Sequence, residues 1–235
     1  MATWHIERTR ELVKERFGIA QLDLTRPSLQ SLVDRQDYAR YHYEEINALF
    51  TAFRAKHLSN ASSILALTDE GDREFQLFIL KSGAHGVACL QCLHSMMDIL
   101  AHVIYYSLGL NLNLAPLRER DIGISSVLPI LKTSTAFRPI FDKVTTVVES
   151  ESYQHVAAAA NVSKHRSVVG PSISEDWRAA GAEAHSVKFK SFQYGGRTYP
   201  SLAVRAALEP VYDASAVLMV DVGNAINDAL QVNAP

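Results

Sequence analysis

Between Phe75 and Leu110 the chain is dominated by apolar residues, broken at Lys81, His85, Gln91, His94, Asp98 and His102. Those interruptions keep it short of the roughly 20 consecutive apolar residues of a membrane span. The pattern predicts a buried central helix instead. Thr68-Asp69-Glu70-Gly71-Asp72 reads as the turn and N-cap region before that helix, and Gly109 with Asn111 supplies a stop signal. Residues 3–17 predict a short charged helix ending at Gly18. A polar, proline-containing link is expected from Asp23 to Ser28. After it comes a helix from about Leu29 to Leu58, where Leu32, Ile46, Leu49, Phe50 and Phe53 mix with many charges.

The second half changes character. Ser125 to Thr133 predicts a short helix, and Phe137 to Arg166 one helix, or two in series broken near Glu149-Ser150-Glu151-Ser152. Gly170-Pro171 ends that region. Ser186 to Tyr194 alternates polar and apolar side chains, and Gly195-Gly196 then leads into Arg197-Thr198-Tyr199, a hairpin signal around a turn that tolerates positive φ. Helical spacing returns from Glu209 to Leu230. The expectation is a mainly α protein: a multi-helix up-down bundle with a small β-hairpin insertion before the C-terminal helix. It is expected as a single helical domain over residues 1–235, with the β-containing insertion at 167–205.

Composition narrows the function classes. The 235 residues are 48% hydrophobic and 20% charged, ordinary globular values, and can bury a substantial core. A net charge of −2 argues against polyanion binding driven by overall charge, so any nucleic-acid contact needs a local patch. The stretch Met1 to Arg8 is charged almost from the start and carries no apolar signal core, and two cysteines make a disulfide framework unexpected. A cytoplasmic protein without a membrane partner is the expectation. The chain has no Gly-rich phosphate loop, H-E-x-x-H, G-x-S-x-G or paired C-x-x-C motif, which removes kinase, zincin, α/β-hydrolase and Rossmann readings.

Three groups of residues could carry chemistry. At about 100° per residue, Gln91, His94, Asp98, His102 and Tyr105 share one sector of the central helix. Cys89 and Cys92 fall opposite, with Met96, Leu100 and Val103, so the thiols are expected in core packing rather than beside the histidines. The His94–Asp98–His102 stripe reads as a metal site on a bundle interior, though the Glu-x-x-His pairs of carboxylate-bridged bundles are absent, as a structural hydrogen-bond network partly at the surface, or as one side of a cleft. In the cleft, Asp98 would orient an imidazole and His94 would face a second helix. That second helix ends in Ala157-Ala158-Ala159-Ala160-Asn161-Val162-Ser163-Lys164-His165-Arg166, where Asn161 and His165 lie one above the other. Lys164, His165 and Arg166 equally suit the helix C-terminal dipole. Between Ala184 and Leu208 stand Lys188, Lys190, Arg197 and Arg205, without an acidic residue and interleaved with Phe189, Phe192, Tyr194 and Tyr199. This is either a strand with an apolar face and a basic back or a stacking surface for bases.

Asn161-Val162-Ser163-Lys164-His165 resembles the N-x-x-x-H part of the R-N-x-x-x-H motif of the HEPN superfamily, helical proteins many of which are metal-independent endoribonucleases. Ala160 stands where that family carries arginine. The resemblance implies a homodimer whose motif helices meet. His165 would be general acid or base in attack of an RNA 2′-hydroxyl on the neighbouring phosphate, Asn161 a positioning group, and Lys164 or Arg166 the cation. His94 and Asp98 complete the expected catalytic set, and His102, Lys188, Lys190 and Arg197 the expected substrate-binding set. Neither a cofactor nor a metal is expected. The expected function is therefore metal-independent RNA cleavage or RNA binding. The alternative is a non-enzymatic helical interaction module whose polar cluster is structural.

Overall fold

Burial carries one helix of this protein through a break that its local sequence suggests. The computed structural model describes residues 3–58, 67–176, 178 and 184–232. Among them are seven α-helices: α1 (Ile6–Phe17), α2 (Ile19–His57), α3 (Asp69–Ser107), α4 (Ile124–Lys132), α5 (Arg138–Val148), α6 (Glu151–His165) and α7 (Val204–Val232). Five short strands lie between α6 and α7: β1 (Pro171–Glu175), β2 (His185–Phe189), β3 (Phe192–Tyr194), β4 (Arg197–Tyr199) and β5 (Leu202–Ala203). The expected mainly α bundle with a small β insertion before the last helix is what the chain forms. The run from Phe137 resolves into two helices in series, α5 and α6, with the break at Glu149-Ser150.

The expected link at Asp23–Ser28 is a correction: α2 runs through it, with Pro27 inside the helix. An interior proline costs about 3 kcal/mol. Against that cost, Leu22, Leu29 and Leu32 are all buried on the same helix, and each is worth roughly 1.5–3 kcal/mol. Thr25 is also buried and returns its hydroxyl to the Gln21 carbonyl (2.9 Å). Three leucines outweigh one ring.

The chain divides into two compact units. The first comprises Met1–Asp37, Leu93–Gln154 and Tyr212–Pro235. Its core includes Leu12, Val13, Leu29, Leu32, Met96, Met97, Leu100, Val103, Leu131, Val144 and Val222, all buried. Two glycines are placed by aromatic rings. A Cβ on Gly223 would fall inside the space of the Trp4 indole, so a mid-helix glycine, ordinarily a loss of roughly 0.5–1 kcal/mol, leaves the ring its place. The Trp4 Nε1 then donates to Thr9 Oγ1 (2.8 Å), and the buried Thr9 hydroxyl donates to Asn227 Oδ1 (2.7 Å). Gly109 ends α3 in the left-handed region (φ 66°), with the Phe17 ring 2.8 Å from where a Cβ would stand.

The second unit comprises Tyr38–Cys92 and His155–Val211. Here β2 is the centre of an antiparallel three-stranded sheet in the order β1-β2-β5, and β3 pairs with β4 in a separate hairpin. The hairpin turns at Gly195 (φ 58°) and Gly196 (φ 79°), as the double glycine predicts. The expected continuous strand from Ser186 to Tyr194 is interrupted at Lys190-Ser191. There the Lys190 amide donates to the Gly170 carbonyl (3.1 Å) and the Ser201 hydroxyl to the Phe189 carbonyl (2.8 Å). Pro171 and Phe189 are cross-strand partners. Each rests on a glycine of α3, with Pro171 3.1 Å from a Cβ on Gly83 and Phe189 3.1 Å from one on Gly86. Glycines three apart lie on one helix face, and that smooth face is where the sheet docks.

The α3 helix is long and apolar enough to cross a membrane, with a window of mean hydropathy 1.5. Yet 56% of that window is buried inside the protein, as in a core helix.

Candidate functional site

The α6 helix ends where its alanines can pack no further. Ala158, Ala159 and Ala160 are buried, then Lys164, His165 and Arg166 emerge exposed in the last turn and just beyond. Ala160 is fixed on both sides: its side chain is interior, and its carbonyl accepts the Gln91 amide of α3 (2.9 Å). An arginine at that position would have to enter the packed interior. The half-buried Asn161 donates its side-chain amide to the Ala157 carbonyl one turn back (2.9 Å). Ser163 Oγ accepts the Val169 amide (3.1 Å), turning the chain after the helix toward β1.

That turn closes a cavity of about 260 Å³. Its polar lining comes from Arg166 and Ser167 on one side and Lys190, Ser191 and Gln193 on the other, with Phe192 and Val162 as apolar walls. Arg166 and Lys190, nominated separately from two stretches of sequence, thus share one recess. Lys164 and His165 are not part of its lining. Lys188 is half-buried on β2, on the strand face opposite the buried Val187 and Phe189, while Lys190 follows the end of the strand and is exposed.

The hairpin aromatics are mostly engaged with one another. Phe192 and Tyr199 stack with centroids 4.9 Å apart and planes within 3°, and His155 meets both edge-on at 5.4 Å. The Arg197 guanidinium covers the Tyr199 ring at 5.0 Å. Phe189 is core. Of the four aromatic residues read as possible stacking faces, Tyr194 is the exposed one, at 44%.

In the first unit one member of the polar stripe of α3, Asp98, serves the start of the next helix. Asp98 is exposed, and its Oδ1 accepts the Ile124 amide (3.3 Å) at the start of α4. Ser126 Oγ accepts the Gly123 amide (3.0 Å) in the same turn. A carboxylate and a hydroxyl therefore serve the amides that a helix start leaves without intrahelical partners. Asp98 also helps burial hold the Tyr153 phenol well above its usual range: burial acts first, the nearby negative charge second. His94 is half-buried. His102, also half-buried, lies against the Tyr106 ring (6.0 Å) and borders an open recess of about 600 Å³ with Arg118, Glu119 and Arg120. The recess is close to charge-balanced, because Arg118 is paired with Asp121 (2.5 Å) and Glu119 is part of the wall. Sequence reading missed Arg118 and Arg120, which lie outside any periodic segment.

Both cysteines are buried, as expected of core packing. Cys89 Sγ donates to the Ala39 carbonyl (3.3 Å), and burial, then its neighbour Cys92, pushes the thiol up to about 12. Such a thiol stays protonated and unreactive. Among the described residues no group of three or more His, Cys, Asp or Glu side chains is placed to hold a metal ion. No family model matches this chain, and no curated protein or solved structure matches it.

Proposed function

We propose that this protein binds RNA, with the recess at the end of α6 taking a backbone phosphate. The observation that carries the reading is the convergence of Arg166 and Lys190, with Ser167, Ser191 and Gln193, on one cavity of about 260 Å³. Two cations and several neutral donors suit an anionic oxygen cluster, and they supply a local basic patch on a chain whose net charge is −2. The resemblance of Asn161-Val162-Ser163-Lys164-His165 to the HEPN motif points to RNA as the polyanion. Mutual stacking of Phe192 with Tyr199 argues for engagement of the backbone rather than base readout.

A second reading, metal-independent cleavage, is favoured by the exposure of His165 one residue before Arg166. In that reading His165 removes the 2′-hydroxyl proton. The 2′-oxygen then bonds to phosphorus as the bond to the 5′-oxygen breaks, and the leaving oxygen takes a proton from water, giving a 2′,3′-cyclic phosphate and a 5′-hydroxyl, with Arg166 or Lys190 opposite the developing charge.

Fluorescence anisotropy with a labelled single-stranded RNA at low salt tests the binding reading. Arg166→Ala with Lys190→Ala is expected to weaken binding by about tenfold or more. It should also lower the salt slope by about 0.7 for each phosphate that the variant no longer neutralises. Unchanged affinity in the double variant, or no binding by the native protein, rejects the reading. His165→Ala is expected to leave binding in place and abolish any cleavage of the same RNA in chelator.

A further inference from the structure

We infer that His42 and His85 form a two-imidazole site for a divalent transition-metal ion of the Ni²⁺ or Cu²⁺ kind, separate from the recess at the end of α6. His42 on α2 and His85 on α3 bring their Nδ1 atoms to 3.0 Å, with rings tilted by 51°. Two ring nitrogens that close either share a proton or share a cation. With metal–nitrogen bonds of about 2.0–2.1 Å, a 3.0 Å separation sets a nitrogen–metal–nitrogen angle of roughly 91–97°. That is the cis angle of square-planar or octahedral ions, whereas a tetrahedral ion such as Zn²⁺ wants nitrogens about 3.3 Å apart.

The pair is held from both sides. One turn along, Cys89 is tied to the Ala39 carbonyl; Ala39 precedes His42 by three residues and Cys89 follows His85 by four. Beside His85, a Cβ on Gly86 would stand 3.1 Å from Phe189 and 3.9 Å from Ile46, and Ile46 follows His42 by one turn. The seam between the two helices is thus set by packing that does not involve the imidazoles, so the nitrogens are positioned before any ion arrives. Both histidines are half-buried, and the exposed Tyr41 ring borders them at 5.2 and 6.1 Å, which leaves access from solvent. Cys89 is unsuited as a ligand because its sulfur is committed to Ala39. No third His, Cys, Asp or Glu completes a cluster among the described residues, so water fills the remaining positions and the ion is exchangeable.

The test is titration of chelator-stripped, dialysed protein with Ni²⁺ by calorimetry and with Cu²⁺ by electron paramagnetic resonance. One saturable equivalent is expected, with hyperfine structure from two equivalent nitrogens in the Cu²⁺ spectrum. His42→Ala and His85→Ala should each weaken Ni²⁺ binding by more than about tenfold, while His165→Ala leaves it unchanged. A spectrum without two-nitrogen coupling, or the same stoichiometry and affinity in both variants, overturns the site. So does tighter binding of Zn²⁺ than of Ni²⁺, because the angle argument would then fail. The native spectrum keeps the outcome decisive should a variant fail to fold. RNA binding does not enter, so this result and that of the α6 recess stand apart.

Discussion

The polar stripe of α3 in the first unit and the cationic end of α6 in the second were equally promising as sequence, and they turn out to be built differently. Asp98 serves the start of α4 and His102 lies on Tyr106 beside a recess of balanced charge. Arg166 and Lys190 instead line one cavity with hydroxyl and amide donors and no carboxylate. A polar residue on an apolar helix is most often there because a neighbouring backbone needs it. A cation on a turn, in a recess without carboxylates, is the better sign of an external anion.

That contrast can be broken by substitution. The largest effect is expected from Phe189→Ala, which removes the ring seated on Gly86 and undermines the strand that leads into Lys190. A loss of about 3–5 kcal/mol should appear in urea unfolding, and RNA affinity should fall with it. Gly223→Ala comes next: its methyl would collide with Trp4, and overpacking of this kind costs about 1–3 kcal/mol. It should lower the melting temperature but leave RNA affinity as it was, since the recess is made by other residues. Asp98→Ala is expected to cost about 1 kcal/mol, the usual value of a helix-start partner, again without change in RNA binding. A fall in RNA affinity in Asp98→Ala with stability intact would reverse the assignment of roles between the two clusters.

The smallest effect concerns acid. Glu74 bonds Lys56 (2.5 Å) and His57 (2.6 Å), which hold its carboxyl below the ordinary glutamate value of 4.5. Its folded value is lower than its unfolded one, so the contribution is present above about pH 4.5 and is lost as pH falls through the folded value. Glu74→Gln should therefore lower stability slightly at pH 6, with the difference from the native protein shrinking as acid takes the pH through the folded value. A difference that stays constant on acidification would assign the effect to packing.

Much of this fold was legible in the chain, for local reasons. The double glycine at 195–196 could turn a hairpin because both positions accept positive φ, and Gly109 could stop α3 for the same reason. Periodicity placed Cys89, Cys92, Met96, Leu100 and Val103 on one side of α3, and all are interior, but Tyr105, which it placed in the polar sector, is buried too, its hydroxyl accepting the Leu117 amide (2.7 Å). Other features carry no local signal. β1 reads Pro171-Ser172-Ile173-Ser174-Glu175, with one apolar side chain beyond the proline, and is a strand because β2 offers it a ladder. Pro27 looks like a break until the leucines around it are seen to be buried.

Periodicity and turn chemistry are properties of a few neighbouring residues, so the order of helices, the hairpin and the apolar faces were determined by the sequence by itself. Which distant residues meet depends on how faces pack, and tertiary structure alone decided that. It set Trp4 on Gly223, Phe189 on Gly86, Arg166 beside Lys190, and His42 against His85. The physical reason is that a side chain's chemistry depends on its surroundings: the same charge is a cap when an amide needs it and a binding group when nothing does.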